Sequence, residues 1–269
     1  MIFFDQLNRS VEIGGIPQRI ISLVPSQTEL LFDLGLEEKV CGITKFCVHP
    51  SHWKKTKAIV GGTKNLRMEV IRSLQPDLII ANKEENEQEQ IRLLAQDFPV
   101  WISDINTIEN ACQMIQQVGW ITGTASVAEN IVMKVSDMMQ ETSPEMQVPL
   151  KVLYLIWKEP WMAVGGDTFI HSMITAAGFE NATAHLHRYP ALTTYELAAL
   201  APDLIFLSSE PYPFRDEHVA EMDKILPPAT VLKVDGEAFS WYGSRMMQAF
   251  PYFLSLRSQI MDFRSKKLP

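Results

Sequence analysis

The fold is decided by one stretch near the start of the chain, Arg19-Ile20-Ile21-Ser22-Leu23-Val24-Pro25-Ser26-Gln27-Thr28-Glu29-Leu30-Leu31. Its first half is short, β-branched and apolar, which predicts a buried parallel strand. Pro25 ends that strand, and the spacing from Ser26 to Glu29 predicts a capping box at the start of a helix. Strands and helices then alternate along the chain, which is the pattern of parallel strands joined by crossover helices.

A repeated unit indicates two lobes of similar build. Leu74-Gln75-Pro76-Asp77-Leu78-Ile79 matches Leu200-Ala201-Pro202-Asp203-Leu204-Ile205, and in both a short helix ends before a buried strand. Between the two copies, residues 124–142 carry apolar side chains at helical spacing. We therefore predict an α/β protein with two parallel-sheet lobes joined by one long helix. The expected boundaries are an N-terminal lobe at 1–121, a connecting helix at 122–146 and a C-terminal lobe at 147–269.

The composition is that of an ordinary soluble globular protein. The chain has 269 residues with a formal net charge of −8, and no cluster of Lys and Arg resembles a nucleic-acid footprint. No apolar run is long enough to span a bilayer, and the first ten residues lack the apolar core of a signal peptide. The expected compartment is the cytoplasm if the chain is native and full length, or the periplasm or cell envelope if a signal peptide was removed. Three cysteines, an odd number, do not form a disulfide framework.

Several motifs in fixed order resemble one family, the cobalamin and iron-siderophore substrate-binding proteins of ABC importers, also called helical backbone metal receptors. They are the opening strand and helix, Glu69 ahead of the first Pro-Asp unit, the long middle helix, and Gly178-Phe179-Glu180-Asn181, which is similar to the family's Gly-Gly-x-Asn. The resemblance implies the class III periplasmic-binding-protein fold, with ligand held between the lobes at the carboxyl ends of the strands. It also implies a monomeric binding protein, not an enzyme, with no intrinsic cofactor. Its ligand would be a corrinoid or an iron chelate such as a siderophore or haem.

The resemblance further implies a membrane partner. Members that serve an ABC permease carry one docking glutamate on each lobe, and Glu69 matches the first. The second position corresponds to Tyr195, and Glu196 follows one residue later, a shift that turns a helical side chain by about 100°. Glu69 and Glu196 are thus the candidate docking residues, and the second departs from the family pattern. A cytoplasmic relative without a permease is the alternative.

Five residues in the first half are candidate ligand contacts. Cys47 and His49 follow a predicted strand, and alternate residues in an extended segment share a face. Both are metal-ligand types, so they are candidate axial ligands to the metal of a chelate; the alternative is a buried thiol and a loop histidine. Thr63 and Lys64 follow a Gly-Gly turn that offers amides and a cation to a carboxylate or phosphate, or is simply a tight turn. Asn82 ends the strand after Pro76-Asp77, where the B12-binding members carry an aromatic residue.

Five further candidates lie in the second half. Trp157 and Trp161 flank the end of a predicted strand, where rigid apolar faces suit a flat ligand; core packing is the alternative. Trp241 and Tyr242 fall in the loop that closes the pocket in the family. Arg245 is suited to bidentate pairing with a ligand carboxylate, or to a salt bridge within the last helix.

Three other functions stay open from the residues alone. The first is an enzyme or metallochaperone that uses Cys47 and His49, although no Gly-x-Ser-x-Gly elbow or metal-protease helix is present. The second is a receptor for bare Zn or Mn, which needs three or four converging ligands. The third is a cytoplasmic sensor or scaffold that has lost ligand binding.

Overall fold

The computed structural model describes residues 1–142 and 149–267, and the chain forms two compact units. The last part of the predicted connecting helix, residues 143–146, lies outside the described residues. The first unit comprises Met1–Ile105, Glu109–Val135 and Trp241–Arg245. The second comprises Asn106–Ile108, Ser136–Ser240 and Met246–Pro269, as far as these are described.

The first unit is built on a five-stranded parallel sheet in the order β5-β4-β3-β8-β9. Its central strand comes from the apolar stretch near the start of the chain, where Ile20 and Ile21 are completely buried. Two short antiparallel hairpins, β1-β2 and β6-β7, accompany the sheet. The strands are β1 (Ile2–Phe4), β2 (Ser10–Glu12), β3 (Ile20–Ser22), β4 (Val40–Ile43), β5 (Ala58–Ile59), β6 (Gly61–Gly62), β7 (Asn65–Leu66), β8 (Leu78–Asn82) and β9 (Val100–Ser103).

Crossover helices join these strands, as the alternation predicts. The long helix α6 begins in the first unit and ends in the second, with the division between Val135 and Ser136. None of the described helices is both long and apolar enough to cross a membrane. The helices of this part of the chain are α1 (Pro25–Asp33), α2 (Trp53–Thr56), α3 (Met68–Leu74), α4 (Gln88–Asp97), α5 (Ile108–Thr122) and α6 (Ala125–Glu141).

The second unit repeats the plan around strands β10, β14 and β15, which are parallel. Strands β11 and β13 extend the other side of β10 in antiparallel fashion, and β12 pairs with the start of β10. The strands are β10 (Lys151–Trp157), β11 (Trp161–Ala163), β12 (Glu180–Asn181), β13 (Ala191–Leu192), β14 (Leu204–Ser208) and β15 (Thr230–Val234). The helices are α7 (Phe169–Ala176), α8 (Thr194–Ala199), α9 (Asp216–Ile225), α10 (Gly236–Ser240) and α11 (Met246–Lys267).

The predicted capping box at the start of α1 is wrong. The helix begins at Pro25, and the residue before it, Val24, makes no side-chain cap. Proline suits the first helical position because the amide it lacks would have no partner there. Ser26 and Glu29 therefore lie inside the helix, and Glu29 is free to bond elsewhere.

The repeated Pro-Asp unit has a physical reason in each lobe. The Asp77 carboxylate accepts the backbone N–H groups of Gln18 (2.7 Å) and Arg19 (2.8 Å), just before β3. In the second unit, Asp203 accepts the N–H of Lys151 (2.9 Å), the first residue of β10. Each aspartate thus fixes the entry of the neighbouring central strand, which is why the same dipeptide occurs twice.

We expect Asp77→Ala to lower the free energy of unfolding by about 1–3 kcal/mol, because two backbone donors lose a charged acceptor. Urea unfolding followed by circular dichroism measures the change. Asp33→Ala, at the exposed end of α1, is the matched control and should leave the midpoint unchanged. An unchanged midpoint for Asp77→Ala would contradict the role assigned to the repeat.

Candidate functional site

The strand order of the first unit reverses between β3 and β8, and ligands of open α/β sheets bind beyond the carboxyl ends of the strands at such a point. The side chain of Tyr242 lies near the end of β8. Tyr242 is buried, and its hydroxyl donates to Glu85 Oε1 at 3.1 Å, in the loop after β8. Burial, together with the charge of Glu85, raises the pKa of Tyr242, so it stays protonated as a donor.

Arg245 holds this segment in place. Its Nε and Nη2 donate to the Glu29 carboxylate at 2.7 Å and 2.6 Å, and both side chains are largely buried. The guanidinium also lies 5.2 Å from the ring centroid of Trp241. The carboxylate that accepts both hydrogen bonds of this pair is on α1 and not in the last helix. Contact between Arg245 and a ligand stays a prediction.

Trp241 and His49 form a second contact in the first unit. Their rings meet edge to face with centroids 5.4 Å apart. Trp241 is buried and His49 half-buried. The segment Trp241–Arg245, which we expected in the C-terminal lobe, thus belongs to the first unit through its aromatic and ionic contacts.

Cys47 points away from solvent. It is 1% exposed, and its Sγ lies 3.0 Å from Thr28 Oγ1 and 3.2 Å from Thr44 Oγ1. Burial raises the pKa of the Cys47 thiol, which disfavours the thiolate that binds metals or attacks a substrate. These contacts favour the buried-thiol alternative over an axial ligand. Within residues 1–142 and 149–267, no group of three or more His, Cys, Asp or Glu side chains is arranged to hold a metal ion.

The Asn82 side chain forms hydrogen bonds with neighbouring protein groups. Its Oδ1 accepts the N–H groups of Glu84 (2.8 Å) and Glu85 (3.0 Å), and its Nδ2 donates to Ser103 Oγ at 3.0 Å. The side chain is buried and stabilises the turn that ends β8, while its contact with a ligand stays a prediction.

A pocket of about 630 Å³ lies beside the β6-β7 hairpin, at the carboxyl ends of β4 and β5. The hairpin needs glycine at position 61, where φ is +111° and a Cβ would lie 2.5 Å from the Asn65 carbonyl oxygen. Lys64 secures the hairpin, because its Nζ donates to the Glu84 carbonyl at 2.6 Å. The lining residues are Lys45, Phe46, Ile59, Gly61, Gly62, Thr63, Lys64, Asn65 and Arg67.

The second unit presents an aromatic cluster at the carboxyl end of β10, where its strand order also reverses. Trp157 is 40% exposed and meets Tyr212 edge to face at 5.4 Å. Trp161 is buried, and its ring is parallel to that of Phe214. The two predicted tryptophans therefore differ: Trp161 is a core residue, and Trp157 offers an open face.

The two predicted docking glutamates also differ. Glu69 is exposed in the first turn of α3. Glu196 completes a capping box, with its Oε2 accepting both the N–H and the hydroxyl of Thr193 at 2.7 Å. Tyr195, beside it, is 82% exposed. The carboxylate of Glu196 therefore caps its own helix, while the ring of Tyr195 is exposed to solvent.

Sequence reasoning missed several site residues. Phe46 is 50% exposed at the rim of the pocket, and Arg67 lines it. Tyr212 supports Trp157 from a loop after β14. Phe46 could have been found from the sequence, because it is an aromatic residue in a loop that follows a strand. The contact between Trp157 and Tyr212 could not, because it depends on the paths of two loops.

We expect Arg245→Ala to lower the free energy of unfolding by about 3–5 kcal/mol, because it strips a buried carboxylate of its partner. Chemical denaturation measures the loss. The double variant E29M/R245M should regain part of it, since the unpaired charge is gone. Arg92→Ala removes an exposed pair with Glu89 and should leave the midpoint unchanged. Equal losses of unfolding free energy in Arg245→Ala and Arg92→Ala would contradict the stabilising role of the buried Glu29–Arg245 pair.

We expect all three thiols of the folded chain to react slowly with iodoacetamide at neutral pH. Burial raises the pKa of Cys41 and Cys47, and raises that of Cys112 to about 11. A raised pKa keeps the thiol protonated below it, so the rate at Cys112 should increase roughly tenfold per pH unit as pH rises toward that value. Mass spectrometry of folded and urea-unfolded samples measures each site. Fast alkylation of folded Cys47 at pH 7 would restore the enzyme or metallochaperone alternative.

Comparison with known proteins identifies the family of this chain. The family described as "Periplasmic binding protein" matches residues 20–225. The chain is 26% identical over 211 residues to an uncharacterised ABC transporter substrate-binding lipoprotein of Bacillus subtilis, covering 75% of this chain and 67% of that one. It is 25% identical over 199 residues to a vitamin B12-binding protein of Vibrio campbellii, covering 72% of each.

Among solved structures, the apo periplasmic haem-binding protein of Roseiflexus sp. RS-1 is similar in fold. It has a TM-score of 0.71 and 24% identity, and the match covers 87% of this chain and 95% of that one. The predicted α/β fold class, with two parallel-sheet lobes of the class III type and a long helix leading from one to the other, is confirmed. Because the family match spans most of the sequence, the chain belongs to the periplasmic binding protein family.

Proposed function

We propose that this protein is the substrate-binding component of an importer and that it holds a metal chelate, a corrinoid or an iron chelate such as haem. The observation that carries the proposal is the half-exposed ring of Trp157 at the carboxyl end of β10. The names of two similar proteins, a vitamin B12-binding protein and a haem-binding protein, support this ligand class.

The aromatic cluster of the second unit suits a flat macrocycle. The Tyr212 and Trp157 rings meet edge to face, and this contact limits the orientations of the indole ring. A rigid ring with one face open loses little conformational entropy when it stacks on a planar ligand, and stacking contributes about 0.5–1.5 kcal/mol beyond the area buried. In the first unit, Phe46 offers a second exposed ring at a strand-end pocket.

Binding without catalysis is the role that the polar groups support. A catalytic thiol needs thiolate character, and the pKa of Cys47 is shifted upward by burial. Arg245 and Asn82 satisfy other protein groups. We infer that the metal arrives and leaves inside its chelate, so the protein itself needs no resident cofactor.

We also propose that Glu69 docks to the arginines of a membrane permease, because it is exposed at the start of α3. Glu196 is less suited, since Thr193 already donates two hydrogen bonds to its carboxylate. The exposed Tyr195 ring is the better candidate contact on the second unit. The words periplasmic and lipoprotein in the names of relatives support a cell-envelope location.

We expect cyanocobalamin, cobinamide, haem or a ferric siderophore to raise the melting temperature of the purified protein by roughly 5–10 °C at one hundred times Kd. The same chelate should quench tryptophan fluorescence. Trp157→Ala should weaken binding about tenfold, because one stacking face is lost. Trp120→Ala removes another exposed tryptophan, on α5, and should leave the affinity unchanged. No shift with any chelate would overturn the proposed function.

A further inference from the structure

The pocket beside the β6-β7 hairpin carries a charge opposite to that of the whole protein. The chain has a formal net charge of −8, yet Lys45, Lys64 and Arg67 line the pocket and no Asp or Glu does. In the part of the chain that the structure describes, no salt bridge to Lys45 or Arg67 is formed. A concave surface lined by one sign of charge concentrates ions of the other sign.

The three cations have different tasks. Lys64 donates to the backbone carbonyl of Glu84 and so stabilises the β6-β7 hairpin. Lys45 and Arg67 are exposed and line the pocket with their side chains directed to no carboxylate among the described residues. An arginine fork matches the oxygens of a carboxylate or phosphate, and a lysine adds a compact point charge.

Glycine at position 62 allows the arrangement. A Cβ there would lie 3.1 Å from the Phe46 ring and 3.3 Å from the Lys45 Cε atom. The missing side chain therefore lets both groups lie against the hairpin. The Lys45 Nζ is 5.0 Å from the Phe46 ring centroid, and the Lys45 N–H donates to the Gly61 carbonyl at 2.8 Å. These contacts restrict the lysine before any ligand arrives.

Apolar and cationic groups thus meet in one pocket, which suits an anion attached to an apolar body. We propose that Lys45 and Arg67 bind a carboxylate or phosphate arm of the chelate, with Phe46 against the adjoining apolar part. This inference rests on the proposed function and narrows its substrate class to chelates with a negatively charged arm. Haem, with two propionates, and cobalamin, with its phosphate, belong to that class; haem dimethyl ester and cobinamide lack those groups.

The test compares each chelate with a counterpart that lacks its anionic group. Haem is compared with its dimethyl ester, and cobalamin with cobinamide, which lacks the whole nucleotide arm that carries the phosphate. Wild-type protein should bind haem or cobalamin roughly ten- to hundredfold more tightly than the dimethyl ester or cobinamide, as a charge-assisted pair implies. The double variant K45Q/R67Q should lose that preference while its affinity for the counterpart without the anionic group stays the same. K54Q/K55Q removes two exposed lysines on α2 and should keep the wild-type preference. Circular dichroism checks that all variants are folded.

Two results would overturn the inference while leaving the proposed function standing. One is equal wild-type affinity for a chelate and for its counterpart without the anionic group. The other is an equal loss of both in K45Q/R67Q, which would indicate packing alone.

If no chelate binds, the proposed function fails, and inorganic phosphate then decides the inference separately. Phosphate broadening in ³¹P NMR that disappears in K45Q/R67Q would support an anion site in this pocket. No broadening, or broadening that the variant keeps, would overturn it.

Discussion

The first unit depends on one buried ion pair, formed by Glu29 and Arg245. Two charges removed from water cost several kcal/mol each unless they are well paired, and bidentate geometry with short contacts provides that pairing. The pair selects one position for the segment Trp241–Arg245. It thereby sets where Trp241 meets His49 and where Tyr242 meets Glu85.

Tyr242 is buried and bonds to Glu85, in the loop after β8, near the strand ends where open parallel sheets usually hold ligands. One pocket of the first unit lies beyond the ends of β4 and β5. In the second unit, the corresponding strand ends carry the exposed face of Trp157. The two units, each taken by itself, thus differ in the chemistry they offer: cationic and partly aromatic in the first, aromatic in the second.

Much of the fold could be predicted because it depends on local patterns. Apolar runs such as β8 and β10 are buried along nearly their whole length. The hairpins β1-β2 and β6-β7 were missed because two or three residues per strand are too few to show alternation. The cap at α1 was misassigned because Ser and Glu at that spacing satisfy the motif whether or not the helix begins there.

The candidate site was harder to predict, since its contacts join distant residues. Glu29 and Arg245 are 216 positions apart, and neither carries a local sign of its partner. The sequence leaves open which face of the loop Cys47 takes, and the hydroxyls of Thr28 and Thr44 decide it. Trp157 and Trp161 look equivalent in sequence. Their environments differ: Trp161 is buried with its ring parallel to that of Phe214, whereas Trp157 is 40% exposed and meets Tyr212 edge to face.

The most direct test of the account is hydrogen–deuterium exchange of the protein with and without cyanocobalamin or haem. If a chelate binds at the carboxyl ends of the strands, exchange should slow in residues 44–49 and 61–66 of the first unit and in residues 157–161 and 209–214 of the second. Protection of residues 8–12 and 95–100 instead, at the amino end of β9, would contradict the assigned site, and unchanged exchange with both probes would contradict chelate binding itself.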